Sequence, residues 1–246
     1  MNMNKVFKYK KIAVIVAHPD DETLWAGGVI LMNPQCRWTI LSLCRGNDLD
    51  RAPKFSEALA IYGATGVMGT LDDGPEQKPI PKKEVKAAIQ LLLPPVHYDL
   101  IITHSPDGEY TRHKRHEETG RAVFSLWEQN IINASELWFF AYEDHNKTRY
   151  PQAIQDADRI IELPEPVRSG KYCIITRIYR FSKESFEAMT TPGKEAFWCF
   201  KKGEKIKNEN YGFIRLPRFS RRSGHAGGVA VQRTKGNGGG CVSCQF

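Results

Sequence analysis

The chain has 246 residues, 41% hydrophobic and 26% charged, an ordinary globular composition with enough apolar material for a sizeable core. Its net charge of +7 is unevenly placed: ten basic and two acidic side chains fall in residues 201–246, and the preceding 200 residues are close to neutral. The basic excess therefore gives no ground for reading the whole protein as nucleic-acid binding. The apolar run Ile12–Ala17 is too short for a secretory h-region of about 7–15 residues or a membrane span of about 20.

In chain order, Ile12–Ala17 reads as a buried strand. Asp21–Leu31 reads as a helix with Leu24, Trp25, Val29 and Leu31 apolar. Trp38–Leu43 is a second strand. Pro53–Tyr62 is a second helix, opened by a proline suited to a first helical position, with Phe55, Leu59 and Tyr62 on one face. Gly66–Leu71 is a third strand, Pro81–Leu93 a third helix, Asp99–Thr103 a fourth strand, Lys114–Asn130 a long amphipathic helix and Glu136–Ala141 a fifth strand. Strands alternating with helices predict parallel β-α-β units with right-handed crossovers, hence an α/β, Rossmann-like three-layer fold with a mostly parallel sheet. Beyond Tyr150 the pattern loosens. Arg159–Leu163 and Cys173–Tyr179 fit strand or helix, while Glu184–Met189 and Glu195–Phe200 read as helical. From Phe219 the chain turns to Gly, Ser, Arg and Lys, too apolar-poor to offset its ordering entropy. The expected layout is one domain over residues 1–218 and a flexible basic Gly-rich tail over 219–246. Cys36, Cys44, Cys173 and Cys199 read as buried free thiols, which points to a reducing, cytoplasmic setting. Cys241-Val-Ser-Cys244 has the spacing of half a zinc site or a redox pair, with no second pair to complete it.

Ala17-His18-Pro19-Asp20-Asp21-Glu22 follows the first strand directly. In open α/β sheets, ligands bind in the crevice at the carboxyl ends of the strands. His18 and Asp21 stand three apart across a strand-to-helix turn, where imidazole nitrogen and carboxylate oxygen can converge on one ion; both are normal zinc ligands. Asp20 lies between them, beside the ion but off it, which suits a general base acting on metal-bound water. Helix capping is the plainer account of one or two of the three carboxylates, but it does not explain the histidine.

A second cluster follows the fourth strand: His104, the turn Pro106-Asp107-Gly108, then His113 and His116, spaced to share a helix face. His104 ends a strand and reads as a satisfied buried histidine or, alternatively, as a group that supports the ligands from behind. A histidine pair on one face, after a strand that can neighbour the first, makes a facial His-Asp-His site. Three protein ligands with one open position describe catalytic rather than structural zinc. On these residues the sequence resembles the PIG-L/LmbE-like family of zinc-dependent N-acetylglucosamine-type deacetylases. Ala17–Glu22 matches its AHPDDE segment and His113-Lys114-Arg115-His116 its HxxH, within a similarity spanning roughly residues 10–180. The resemblance implies a Rossmann-like fold and hydrolysis of an N-acetyl or related amide, usually on an amino sugar. It implies zinc, or iron(II), held by His18, Asp21 and His116, with Asp20 as base. His113 then polarises the carbonyl or protonates the leaving amine. Two positions depart from the family pattern: Arg115 stands where many members carry an acidic residue that orients the first histidine, and Tyr110 precedes His113 by three rather than two.

Substrate contacts are expected from three side chains. Arg45 follows the second strand, Lys54 stands three before Glu57 where the family places a basic residue, and Asp73, after the third strand, suits sugar hydroxyls. The expected partner is a small N-acylated amino sugar or conjugate, with no nucleic acid and no membrane span; a homo-oligomer is compatible with this. Two rivals stand beside it. One is an amidase acting on a sugar–thiol or other conjugate. The other is a non-catalytic binding module that uses the basic tail and needs no metal.

Overall fold

Strands that are apolar on both faces need helices on both sides of their sheet, and the fold supplies them. The computed structural model describes residues 7–110 and 113–203, of which those up to Lys202 form one unit. In chain order come β1 (Lys11–Val16), α1 (Asp21–Met32), β2 (Arg37–Cys44), α2 (Arg51–Tyr62), β3 (Thr65–Leu71), α3 (Lys82–Leu92), β4 (Tyr98–Thr103), α4 (Lys114–Glu128) and β5 (Ala134–Phe140). This is the predicted alternation, with shifts of a residue or two at most ends. A two-stranded pairing follows, β6 (Tyr142–Glu143) with β7 (Gln152–Ala153). Then come β8 (Arg159–Glu162), α5 (Glu165–Cys173) running into a π-helical turn over Ile174–Ile178, α6 (Phe186–Thr190) and β9 (Lys194–Lys201).

Seven strands form one sheet in the order β3-β2-β1-β4-β5-β9-β8. The first five pair in parallel, and β9 runs antiparallel to both β5 and β8. One face is covered by α1, α2, α5 and the π-helical turn, the other by α3 and α4. Ile12, Val14, Ile40, Leu100 and Ile102, all buried from solvent, anchor the larger core with Trp25, Phe55 and Trp138. No helix among the described residues is long and apolar enough to cross a membrane.

Glu195–Phe200, read as helical, is instead the body of β9. Glu and Ala favour helix locally, but this segment is paired on both edges and buried, and tertiary pairing overrides propensity. The Glu195 carboxylate is used inside the fold: it accepts the Gly28 and Val29 amides at 2.7 and 2.8 Å and pairs with Lys171 at 2.7 Å. Of the two segments that fitted either state, Arg159–Leu163 supplies a strand and Cys173–Tyr179 is helical. Cys36, Cys44 and Cys199 are free thiols, whereas Cys173 is disulfide-bonded, which corrects the free-thiol expectation there. The boundary at 218/219, the basic tail and Cys241/Cys244 lie outside the described residues.

The chain reverses its direction of strand addition between β1 and β4, which pair from Ile12↔Leu100 to Ile15↔Thr103. A crevice therefore opens at their carboxyl ends. β1 feeds it His18–Asp21, and β4 feeds it His104 and the segment leading to α4. At Gly120 in α4 a Cβ would stand 2.5 Å from the His104 carbonyl oxygen and 2.7 Å from that of Ser105. Only glycine lets the helix close on the end of β4 and carry His116 inward.

Candidate active site

At the turn out of β1, Asp20 adopts φ 127°, a conformation costly for any residue but glycine. Its amide donates to Glu22 Oε2 at 2.9 Å, while its carbonyl receives the Thr23 and Leu24 amides. Glu22, fully buried, also accepts the hydroxyls of Thr23 and Tyr179 at 2.7 Å. The last acid of the AHPDDE segment is thus the clamp that holds the strained turn.

Asp21 bonds back to the His18 amide at 2.9 Å through Oδ2 and receives Trp25 Nε1 at 3.1 Å on Oδ1. His18 Nδ1 lies 3.1 Å from Asp21 Oδ2; His116 Nε2 lies 3.3 Å from each of these two atoms. The far nitrogens are held by carboxylates. His18 Nε2 meets Asp73 Oδ1 at 3.0 Å, and His116 Nδ1 meets Glu109 Oε2 at 2.6 Å. The same Glu109 oxygen receives His104 Nδ1 at 2.9 Å, and its Oε1 accepts the Ser105 amide. His104 Nε2 accepts the Ala17 amide at 3.0 Å, so its Nδ1 carries the proton. If His18 and His116 likewise donate to their carboxylates, three electron-rich atoms face one another across 3.1–3.3 Å. A cation or added protons must satisfy them. Without a cation the cluster draws protons: burial works against charging His18 and His116, yet Asp21 and the flanking carboxylates raise both.

His113, the residue before α4, stacks on His116 with ring centroids 4.2 Å apart and meets His18 edge-on at 4.7 Å. Burial, then the neighbouring imidazoles His116 and His18, push it down to about 3, so it stays neutral. Its buried Nδ1 has no hydrogen-bond partner among the described residues. The two aspartates of the motif are driven apart. Burial and then Asp21 raise Asp20 well above the carboxylate range; Asp21, although burial opposes it, is held well below by His116 and His104. Overlapping triads able to hold an ion are His18–His113–His116, Asp21–His104–His116 and His18–Cys44–Asp73, with ligating atoms within 4.8 Å of one another.

His18, Asp20, Asp21, Asp73 and His113 line a cleft of about 310 Å³, together with Arg45, Arg51, Tyr110 and Phe186, while His104 and His116 are fully buried. Arg45 and Asp73 are both present, but joined: Arg45 Nε bonds Asp73 Oδ2 at 2.8 Å, so both oxygens of Asp73 are engaged by the protein. Lys54 is not among the cleft residues; its ammonium bonds Asp50 at 2.6 Å. The basic side chain of α2 that reaches the cleft is Arg51, one turn earlier, whose Nη1 holds Asp20 Oδ2 at 3.2 Å. Arg115 turns away, bonding the carbonyls of Asp72 and Lys78 and the Glu118 carboxylate, so it straps the loop after β3. Glu109, which the sequence reading passed over, sits seven residues before His116 in a turn, with no periodic pattern to mark it.

Residues 13–127 match the PIG-L family, described as GlcNAc-PI de-N-acetylase. The chain carries a PIG-L family domain. The match takes in both loops of the cleft, from His18 to His116. Among whole proteins, this chain is similar to an uncharacterized protein of Acanthamoeba polyphaga mimivirus, 20% identical over 185 residues, covering 69% of this chain and 78% of that one. It shares its fold with the N,N'-diacetylchitobiose deacetylase of Pyrococcus horikoshii, with TM-score 0.60 and 16% identity, covering 79% of this chain and 85% of that one. It shares it also with the 4-carboxy-2-hydroxymuconate hydratase of Pseudomonas putida, with TM-score 0.53 and 15% identity, covering 80% and 100%. The fold thus hosts hydrolysis and hydration alike, and the site must carry the choice of reaction.

Proposed function

We propose that this protein is a metal-dependent hydrolase that removes an N-acetyl or other N-acyl group from an amino sugar or related small amide. The observation that carries the reading is the triangle of His18 Nδ1, Asp21 Oδ2 and His116 Nε2, with edges of 3.1, 3.3 and 3.3 Å. Ligands about 2.0–2.1 Å from a tetrahedral zinc stand roughly 3.3 Å apart, so the donor set fits such an ion. His18, Asp21 and His116 would hold it; zinc is the expected metal, and iron(II) also suits this donor set. When bound, the ion supplies a Lewis acid that acidifies water and polarises a carbonyl.

The remaining steps belong to the protein. Asp20, a raised carboxylate fixed by Arg51 and by the clamped turn, accepts the proton of the attacking water. Neutral His113, stacked on His116, meets the oxyanion or the leaving nitrogen, and the proton taken by Asp20 returns to that nitrogen. Asp73 orients His18 as Glu109 orients His116, so its part in sugar recognition passes through Arg45, which it holds at the cleft wall. The family described as GlcNAc-PI de-N-acetylase and the chitobiose deacetylase that shares the fold both support an acylated amino sugar as substrate.

The test is metal analysis of the purified full chain together with acetate release from N-acetylated amino sugars. About one zinc or iron per chain and measurable acetate are expected. Asp20→Asn should keep the metal and lose about 10²–10⁴-fold in turnover, and His116→Ala should lose the metal. A metal-free wild-type chain, or full activity in Asp20→Asn, refutes the reading. The rival binding module needs no metal, and the tail it depends on lies outside the described residues.

A further inference from the structure

Asp20 is held by an arginine that itself needs holding. Arg51 Nη1 grips Asp20 Oδ2 at 3.2 Å, yet the Arg51 side chain lines the cleft with 25% of its surface exposed. A long side chain with water around it has rotamers to spare, and one ion pair does little to select among them. An aromatic ring makes the selection. The Arg51 guanidinium carbon lies 4.4 Å from the ring centroid of Phe181. Stacking on an aromatic face fixes the plane of a guanidinium as well as its place. Phe181 is not among the cleft residues; it packs half-buried against the larger core.

The segment that delivers this ring is built around a widened turn. The π-helical turn Ile174–Ile178 closes with the Tyr179 amide on the Ile174 carbonyl at 2.9 Å, and the Phe181 amide reaches back to the Ile175 carbonyl at 3.2 Å. Between them Arg180 adopts φ 60°, a left-handed conformation costly for any residue with a Cβ. Such turns recur at functional sites, and local strain persists where the surrounding contacts over-determine it. Here those contacts converge on Asp20 from two directions. The Tyr179 hydroxyl donates to Glu22 Oε1 at 2.7 Å, and the other oxygen of Glu22 accepts the Asp20 amide. Phe181 meets the arginine that holds the Asp20 carboxylate. Residues 174–181 fall outside 13–127, so the family match does not account for this brace.

We infer that Phe181 is a positioning residue for the reaction: its ring holds Arg51 against Asp20, and through Arg51 it keeps the carboxylate aimed into the cleft. The inference rests on the N-acyl hydrolase reading, in which Asp20 is the base. Because the ring acts through Arg51 from outside the cleft, it governs the chemical step and leaves substrate binding as it is.

The test measures kcat and KM for acetate release from N-acetylglucosamine by the metal-loaded full chain. Phe181→Leu keeps apolar bulk but removes the ring, and Phe181→Tyr keeps the ring. Phe181→Leu should lower kcat about two- to thirtyfold, the range of one cation–π contact, and leave KM unchanged. Phe181→Tyr should retain kcat. In an Arg51→Met background Phe181→Leu should cost nothing further, because the side chain it acts through is gone. An unchanged kcat in Phe181→Leu, or an equal loss in Phe181→Leu and Phe181→Tyr, overturns the inference. So does a rise in KM at constant kcat, or the full loss repeated in the Arg51→Met background. Denaturant unfolding of wild type, Phe181→Leu, Arg51→Met and the double variant reads the same coupling without turnover. Coupling of that size in the unfolding equilibrium, with no acetate released by wild type, keeps the contact between ring and guanidinium and discards the hydrolase reading. Absence of coupling there overturns the inference whatever the turnover.

Discussion

One oxygen of Glu109 holds two imidazoles, those of His104 and His116, in a pocket closed to water. Burial disfavours the charged carboxyl, but the two histidines and the Ser105 amide hold it down at about 2. Its work is to keep the proton on His116 Nδ1, so that Nε2 faces His18 and Asp21 with a lone pair. Losing such an outer partner typically costs about 10–100-fold in metal affinity. Glu109→Ala should show that loss in competition with a chromogenic chelator, and Glu109→Gln a smaller one. At this scale the motif residues were legible: His18, Asp20, Asp21 and His113 line one cleft and buried His116 meets His18 and Asp21, as their spacing after two strands implied. Glu109 was not, because a side chain that reaches back across a turn leaves no period. Arg115 misled in the other direction. It occupies the slot for an orienting acid, while the acid that orients a histidine arrives from before the helix. Lys54 failed by one helical turn, since Arg51 has the reach to Asp20.

Among the elements, β9 holds a fully enclosed lysine–carboxylate pair, Glu195 with Lys171, both at 0% exposure. It ties β9 to α5 and, through the Gly28 and Val29 amides, to α1. Lys171→Met leaves a buried carboxylate without its cation, and a loss of about 3–5 kcal/mol is expected in denaturant unfolding. Lys171→Met with Glu195→Leu should recover part of it. A second clasp joins the segment before β1 to β5: Glu136 accepts Lys8 Nζ and the Tyr9 hydroxyl, each at 2.6 Å. Burial raises the Glu136 carboxyl, but these bonds outweigh it and hold it below its ordinary 4.5. A carboxyl that titrates lower in the fold than in the unfolded chain stabilises fully above its unfolded pKa and ceases to do so as pH falls through the folded one. Glu136→Gln should therefore melt below wild type at neutral pH, with the gap narrowing as pH drops under 4.5. Through β5 the elements were readable because helix and strand periods alternate cleanly. Beyond it they were not: in β9 the identity of the element comes from partners on both edges, which a local pattern does not contain.

For the molecule as a whole, the proposed metal ligands come from the segment after β1 and from the start of α4, which meet at the crevice between β1 and β4. Whatever binds them in the folded chain alone adds RT ln(1 + [L]/Kd) to stability, about 2.7 kcal/mol at a hundredfold excess over Kd. For a domain of this size that is roughly 5–10 °C in melting temperature. A chelator should lower Tm by that order, zinc should restore it, and His116→Ala should show no response to either. The three-layer architecture and the meeting of the two loops followed from the alternation and from the position of the motifs. The presence of Phe186 at the cleft did not, since that residue lies where the alternation had stopped.

β1 and β4 are neighbours in space but distant in the chain: the Thr103 hydroxyl bonds the Ile15 carbonyl across 88 positions. At about 5–20 residues per second on the ribosome, one edge of the first strand waits roughly 4–18 s for its mate to emerge. During that interval an apolar, hydrogen-bond-hungry ribbon is open to the wrong neighbour. Yield in a cell should accordingly depend on chaperone supply and on the pace of translation more than on the stability of the finished protein.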